Sequence, residues 1–245
     1  MTAVPREELF DVLAAIAVVP RYTLRTGPDG PGWSTVRQLC AADATTDRLI
    51  DTVARRFAIG TPRVAGSFTI FGYASRLLGP VVAALATRGV LLDVRPDRVR
   101  WRYEPTDGFQ FLLTEPAGSR PLDDRDVGRW WADLIDGHLG PVVDAVRARA
   151  PGAAGMLWGN VAASVAGALD TVARTGPTPV VDCGPLLDHG PLAGAGTFTA
   201  HRGRSFYVRR SCCLHYQIPA GGKCGDCALL RPAELRVRWD AALEA

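Results

Sequence analysis

Lysine is almost missing from this chain: Lys223 is the only one, and nearly all of the positive charge is arginine. Charge of either sign is also scarce in net terms. The 28 basic and 25 acidic side chains leave a formal net charge of +3, too weak by itself to indicate a nucleic-acid surface. No uninterrupted apolar run approaches the roughly 18–20 residues that span a bilayer. The first apolar run, Val12 to Val19, is short and follows Arg6, Glu7, Glu8 and Asp11 instead of a basic leader, which gives no sign of a targeting segment. A Gly-x-Gly-x-x-Gly turn after a strand and a Walker A loop are both absent, so no nicotinamide, flavin or nucleotide site of the chain's own is expected. Internal repeats, heptads and low-complexity tails are absent too. What remains, at 47% apolar and 22% charged, is the composition of a globular protein large enough for one sizeable domain or two small ones. The expected location is the cytoplasm, where thiols stay reduced.

The periodicity predicts a mostly helical α+β fold. Leu9, Phe10, Leu13 and Ile16 mark a helix over 6–19 that Pro20 closes. A second helix fits 46–58, and a third opens at Pro62 and is broken or kinked at Gly79-Pro80 before resuming over 81–88. Residues 90–94 and 99–103 read as a hairpin around Arg95-Pro96-Asp97-Arg98, and 110–114 as a further strand. Helical spacing returns over 123–150, and the Ala-rich 157–173 reads as a buried helix. The Pro- and Gly-rich 174–200 reads as loop, and 205–209 as a short strand. These elements suggest a helical body over 1–200 with a small antiparallel β element, followed by a cysteine-rich module over 201–245.

The cysteines carry the chemistry. Of six, Cys40 and Cys183 are isolated and read as small buried hydrophobes. Cys212, Cys213, Cys224 and Cys227 fall in one C-C-x10-C-x2-C pattern. The C-x2-C pair brings two thiolates to one metal centre across a turn that Gly225 eases, and Pro219 with Gly221-Gly222 can fold the intervening loop back. Four thiolates suit either an iron–sulfur cluster or a structural zinc. Adjacent Cys212 and Cys213 depart from zinc knuckles, because neighbouring side chains in extended chain point to opposite faces. Arg209, Arg210 and Lys223 flank the cysteines and would favour the more negative, reduced state of a cluster. His215 is not needed as a ligand.

Arg-Arg-Ser-Cys-Cys-Leu-x-Tyr followed by Gly-Gly-x-Cys-Gly-x-Cys resembles the C-terminal signature of the FhuF-like ferric siderophore reductases. Ala228 departs from the proline expected after the last cysteine. The helical stretch 67–92 and Trp158-Gly159-Asn160 are similar to the family's helical body. The resemblance implies a [2Fe–2S] cluster on Cys212, Cys213, Cys224 and Cys227. It also implies reduction of Fe(III) held by a siderophore, a hydroxamate above all, with release of Fe(II). Hard oxygen donors hold Fe(III) far more tightly than Fe(II), so one electron releases the metal without destroying the chelator. An external donor, a ferredoxin or a separate flavin or NAD(P)H reductase, would supply that electron. The module's Arg202, Arg204, Arg209, Arg210, Lys223 and Arg231 would steer an acidic ferredoxin.

The siderophore pocket is expected beside the cysteines, between module and body, with Arg76, Arg129 and Trp130 as candidate contacts and Arg63 as a further cation for an anionic chelate. Neither a nucleic-acid partner nor a membrane span is expected. The competing readings are a zinc-stabilised binding or scaffold protein, and an iron–sulfur carrier or sensor without its own substrate.

Overall fold

The computed structural model describes residues 1–41, 44–175 and 178–244. Eight α-helices are described: α1 (Arg6–Ile16), α2 (Val36–Cys40), α3 (Ala44–Arg56), α4 (Pro62–Arg88), α5 (Asp124–Leu134), α6 (Gly140–Arg149), α7 (Ala154–Thr175) and α8 (Pro232–Glu244). A π-helical stretch, Ile135–Leu139, joins α5 to α6. Nine short strands complete the fold: β1 (Thr2–Ala3), β2 (Leu24–Thr26), β3 (Ser34–Thr35), β4 (Leu91–Leu92), β5 (Val99–Glu104), β6 (Gly108–Leu113), β7 (Gly118–Arg120), β8 (Gly196–His201) and β9 (Arg204–Arg209). The fold is α+β, predominantly helical, with small sheets that are antiparallel except for the parallel β2–β6 pair.

Helix α4 is the axis of the molecule, and α7 packs along it. Pro62 occupies its first turn, where a missing N–H costs nothing, and Gly89 ends it at φ 61°. The sequence places a break or kink at Gly79-Pro80, but one helix runs unbroken through both. A proline inside a helix costs about 3 kcal/mol through a lost hydrogen bond and a carbonyl clash. Leu77, Leu78, Val81, Val82 and Leu85, all fully buried around it, each return about 1.5–3 kcal/mol. Packing therefore outweighs the local penalty. Gly79 is required on other grounds, because a Cβ there would lie 2.3 Å from Cε1 of Tyr22. By length and average hydropathy α4 is long and apolar enough to cross a membrane, but polar residues interrupt it and most of it is buried inside the fold.

The hairpin is displaced from its expected position. Residues 90–94 do not pair with 99–103; β4 pairs with β7, and β5 pairs with β6 across the turn Pro105-Thr106-Asp107. Asp93 takes the Arg95 and Arg98 guanidiniums and fixes the turn that connects β4 to β5 without pairing them. Gly108, at φ 81°, supplies the left-handed residue the real turn needs. The expected loop over 174–200 contains two 3-10 turns, Gly184–Asp188 and Gly190–Leu192, and then β8; its positions 176 and 177 lie outside the described residues.

Asp123 caps α5 by accepting the Asp126 amide at 3.0 Å. Deeper in the core, His138 of the π stretch is 1% exposed. Its Nδ1 lies 2.6 Å from the Val94 carbonyl, which can only accept, so Nδ1 carries the proton. Nε2 is then free to accept the Tyr73 hydroxyl at 2.6 Å. Burial holds this imidazole neutral, with its pKa pushed down to about 4. The unfolded chain protonates near 6.5, so between about pH 6.5 and 4 the unfolded state binds the extra proton and stability falls as pH falls. Urea unfolding at pH 7 and pH 5 should show a loss of about 2 kcal/mol, absent in His138→Gln. An equal loss in that variant would assign the acid sensitivity elsewhere.

The last strands and helix form a second, smaller core. Phe206 of β9 stacks on Trp239 of α8 with centroids 5.1 Å apart, and Leu235 completes the cluster. This unit rests on α7 through β8 and β9.

Candidate metal centre

Strand β9 ends at Arg209, whose amide donates to the Asp226 carbonyl at 3.0 Å. That bond lays the C-x2-C turn against the strand leading into the other two cysteines. After Cys213 the chain reverses through Leu214, in a left-handed conformation at φ 65°, into the 3-10 turn His215–Gln217. The return leg passes so close that a Cβ on Gly221 would lie 1.8 Å from the His215 carbonyl oxygen, so this position admits only glycine. His215 Nδ1 sits 2.9 Å from the Gly222 carbonyl and 3.1 Å from its amide, and its ring stacks on Phe68 of α4. His215 thus fastens the loop. Cys227 closes the second turn with its amide on the Cys224 carbonyl at 3.2 Å.

These turns bring the thiols together. Cys213 Sγ and Cys224 Sγ lie 3.7 Å apart. Two sulfurs bound tetrahedrally about 2.3 Å from one metal would stand roughly 3.8 Å apart. Cys212 lies near enough to Cys213 and Cys227 for both to act on its thiol, and the Cys212 and Cys227 sulfurs accept the Leu214 and Leu229 amides at 3.3 and 3.4 Å. Cys213 and Cys227 are buried, while Cys212 and Cys224 are half-buried; none is in a disulfide. The Cys224 thiol and the Arg209 guanidinium favour the Cys213 thiolate and pull its pKa down to about 6. Burial raises that of Cys212.

Arg209 is the electrostatic centre of this region. It is 4% exposed, donates from Nε to Asp226 at 2.6 Å and from Nη1 to the Asn160 side-chain oxygen at 2.7 Å, and lies over the Phe71 ring. Asn160, fully buried on α7, donates to the Ser67 hydroxyl and carbonyl at 2.8 and 2.9 Å. Ser67 of α4 in turn donates to the Cys213 carbonyl at 2.8 Å. One chain of hydrogen bonds therefore links both cysteine segments to the two central helices. Gly159 lets the loop reach them, since a Cβ there would lie 2.0 Å from Ser211 Oγ.

The other charges expected around the cysteines are dispersed. Lys223 reaches the Leu229 carbonyl at 3.4 Å and Glu234 at 4.0 Å, and Arg210 is exposed. Of the six residues expected to steer an acidic donor, Arg209 is buried and cannot do so. Arg202 and Arg204 meet Asp240 and Asp170, and Arg231 meets Glu234, which leaves a weaker basic surface than the sequence suggests. Arg76 and the Arg129–Trp130 pair line two separate clefts, neither of which includes the cysteines. Arg76 lines a cleft beside the β5–β6 hairpin, whereas Arg129 and Trp130 line a groove with Asp93 and Asp133, where the Trp130 indole donates to the Leu92 carbonyl. Arg63 packs beside Gly152. Ser67 and Asp226 were not singled out from the sequence, and Asn160 only within a glycine motif. The signal was a polar residue inside an otherwise apolar helix, Ser67 in Val64–Phe71 and Asn160 in the Ala-rich stretch.

A trough of about 550 Å³ borders the cysteine region, between α7 and the β8–β9–α8 unit. Its floor is small, Ala163, Ala166 and Gly167, and Phe198, Tyr207 and Trp239 stand along its walls. Gly225 and Asp226, between two of the cysteines, form part of its lining.

Residues 209–229 match the family model described as the FhuF 2Fe-2S C-terminal domain. No curated protein matches the chain. The match identifies an iron–sulfur, siderophore-related protein with a [2Fe–2S] cofactor. The local chemistry fits that group. The Cys213 and Cys224 sulfurs stand at the spacing of two ligands on one metal, and the Cys212 thiol lies within electrostatic reach of Cys213 and Cys227. The Ser211 hydroxyl, next to Cys212, is buried with no hydrogen-bond partner, an arrangement that a sulfur acceptor would relieve.

Proposed function

We propose that this protein is a cytoplasmic ferric-siderophore reductase, with Cys212, Cys213, Cys224 and Cys227 as the ligands of its [2Fe–2S] cluster. Cys213 and Cys224 would hold one iron, and Cys212 and Cys227 the other. The observation that carries the reading is the convergence of these thiols beside an open trough large enough to admit part of a chelate. When bound, the cluster would supply one-electron chemistry, with an external ferredoxin or reductase as the electron source and siderophore-bound Fe(III), released as Fe(II), as the acceptor.

The chain's own residues do the rest. Arg209 keeps a positive charge beside the Cys213 and Cys224 sulfurs and so favours added negative charge there. Asn160 and Ser67 hold the loop against the helical body, which limits its movement between charge states. Gly225, without a side chain, leaves the C-x2-C turn open to the trough. Phe198 and Tyr207, in edge contact at 5.3 Å, offer an apolar wall to the organic part of a chelate. The segments 1–200 and 201–245 then act as a siderophore-binding body and a cluster module, with the hairpin strand β8 beginning slightly before that boundary.

The test is stopped-flow reoxidation of the reduced protein by a ferric trihydroxamate, against Phe198→Ala. The rate should saturate with siderophore, and the variant should raise the half-saturation concentration about 5–10-fold with an unaltered visible spectrum. Saturation at the same concentration in both proteins would remove the trough from the account. No reoxidation in either would remove the reductase.

A further inference from the structure

We propose that the cleft between α4, the β5–β6 hairpin and the segment 20–25 is a binding site for a small polyanion with carboxylate or phosphate groups, distinct from the cysteine centre. The cleft holds about 420 Å³. Four arginines line it, Arg21, Arg25, Arg56 and Arg76, against a single carboxylate, Asp107. Asp107 makes no ion pair with any of them; its Oδ2 accepts from Gln110 at 3.4 Å.

Two of the arginines are built into place. Arg56 donates to the Thr106 carbonyl at 2.7 Å and to the Tyr103 hydroxyl at 3.3 Å, and Arg76 donates to the Asp107 carbonyl at 2.6 Å. Gly108 makes room for Arg56: a Cβ there would lie 3.2 Å from its Nη1. Carbonyl partners orient a guanidinium without neutralising it. The other two, Arg21 and Arg25, have no hydrogen bond or ion pair among the described residues.

Assembling like charges this way is unfavourable without a counterion. Burial, and then the charges of Arg21 and Arg56, push the Arg76 guanidinium below its ordinary pKa. Elsewhere on the surface the pattern differs: Arg95 meets Asp93, Arg100 meets Asp29 and Arg174 meets Asp170. In the cleft one carboxylate, Asp107, stands against four arginines, and two fixed and two free planar forks face one concavity. Guanidinium forks match the paired oxygens of carboxylates and phosphates. The sequence pointed to Arg76 alone; Arg21, Arg25 and Arg56 join it only through the fold.

The test is calorimetric titration of the cluster-loaded protein with citrate and, separately, pyrophosphate, at ionic strength fixed with sodium chloride. The visible spectrum reports whether the cysteine centre is intact. Saturable binding of either probe is expected, weakened about tenfold or more in Arg21→Gln/Arg25→Gln and unchanged in Arg37→Gln/Arg236→Gln, which removes two distant exposed charges. Citrate alone would identify a carboxylate site, pyrophosphate alone a phosphate site, and both a general oxyanion site. No saturable binding, or binding that survives Arg21→Gln/Arg25→Gln, would overturn the proposal. Because neither substitution touches the cysteine region, that failure would leave the reductase reading standing.

Discussion

Serine in place of Cys213 or Cys224 will strip the anaerobically purified protein of most of its iron and visible absorption. Both sulfurs stand at the spacing of ligands on one metal. Exchanging a thiolate for a hydroxyl gives up a soft, readily ionised donor for one that stays protonated at neutral pH. Loss of mere outer-shell partners costs about 10–100-fold in metal affinity, so loss of a ligand should cost at least as much. Cys40→Ser and Cys183→Ser provide the contrast. Burial pushes those thiols up to about 11 and about 12, holding them protonated in the body of the protein. Their variants should keep the wild-type iron content and spectrum. Equal iron loss from Cys40→Ser, or full retention in Cys224→Ser, would contradict the ligand set.

Replacing Arg209 with methionine should do comparable damage by a different route. The substitution leaves Asp226 without its 2.6 Å ion pair and the Asn160 side-chain oxygen without a donor, in a region where Arg209 itself is 4% exposed. Breaking a fully buried pair by removing one partner costs about 3–5 kcal/mol, and because the Asp226 side chain is 28% exposed a smaller loss is expected here. Removing a cation beside two of the sulfurs also disfavours reduction, so the midpoint potential should move negative. A change of about 1.4 kcal/mol corresponds to about 59 mV for one electron. Arg209→Lys separates the two effects. It keeps the charge, but one ammonium cannot reproduce the fork that spans Asp226 and Asn160, so stability should drop while the potential moves less. Denaturant unfolding and redox titration read the two quantities. An Arg209→Met protein with unchanged stability and potential would show that the network is incidental.

The parts of this fold that were legible from sequence are those where local pattern and packing agree. The spacing of Leu9, Leu13 and Ile16, the Asp123 cap and the Ala-rich run of α7 each predict the helix that forms. Pro80 misleads because its local penalty is smaller than the burial around it, which no window of sequence contains. The hairpin was misplaced for a similar reason. Arg95-Pro96-Asp97-Arg98 has turn chemistry and does turn, but the partner of β4 is β7, set by a longer-range contact. In the metal centre, the cysteines and the Trp158-Gly159-Asn160 triplet were visible as motifs, but not the close approach of Ser211 to Gly159. The chain from Arg209 through Asn160 and Ser67 to the Cys213 carbonyl was not, because it joins three distant segments that only the packing of α4 on α7 brings together. The same holds for the four arginines of the anion cleft.

The most direct test of the central claim is a redox cycle under anaerobic conditions. The protein is purified, its iron and acid-labile sulfide are counted, and it is reduced. One equivalent of a ferric trihydroxamate is then added with a ferrous chelator present. The account predicts two irons and two sulfides per chain, bleaching on reduction, and recovery of the oxidised spectrum as one Fe(II) per cluster reaches the chelator. A colourless protein containing zinc, or a cluster that reduces and stays reduced while no Fe(II) appears, would contradict it.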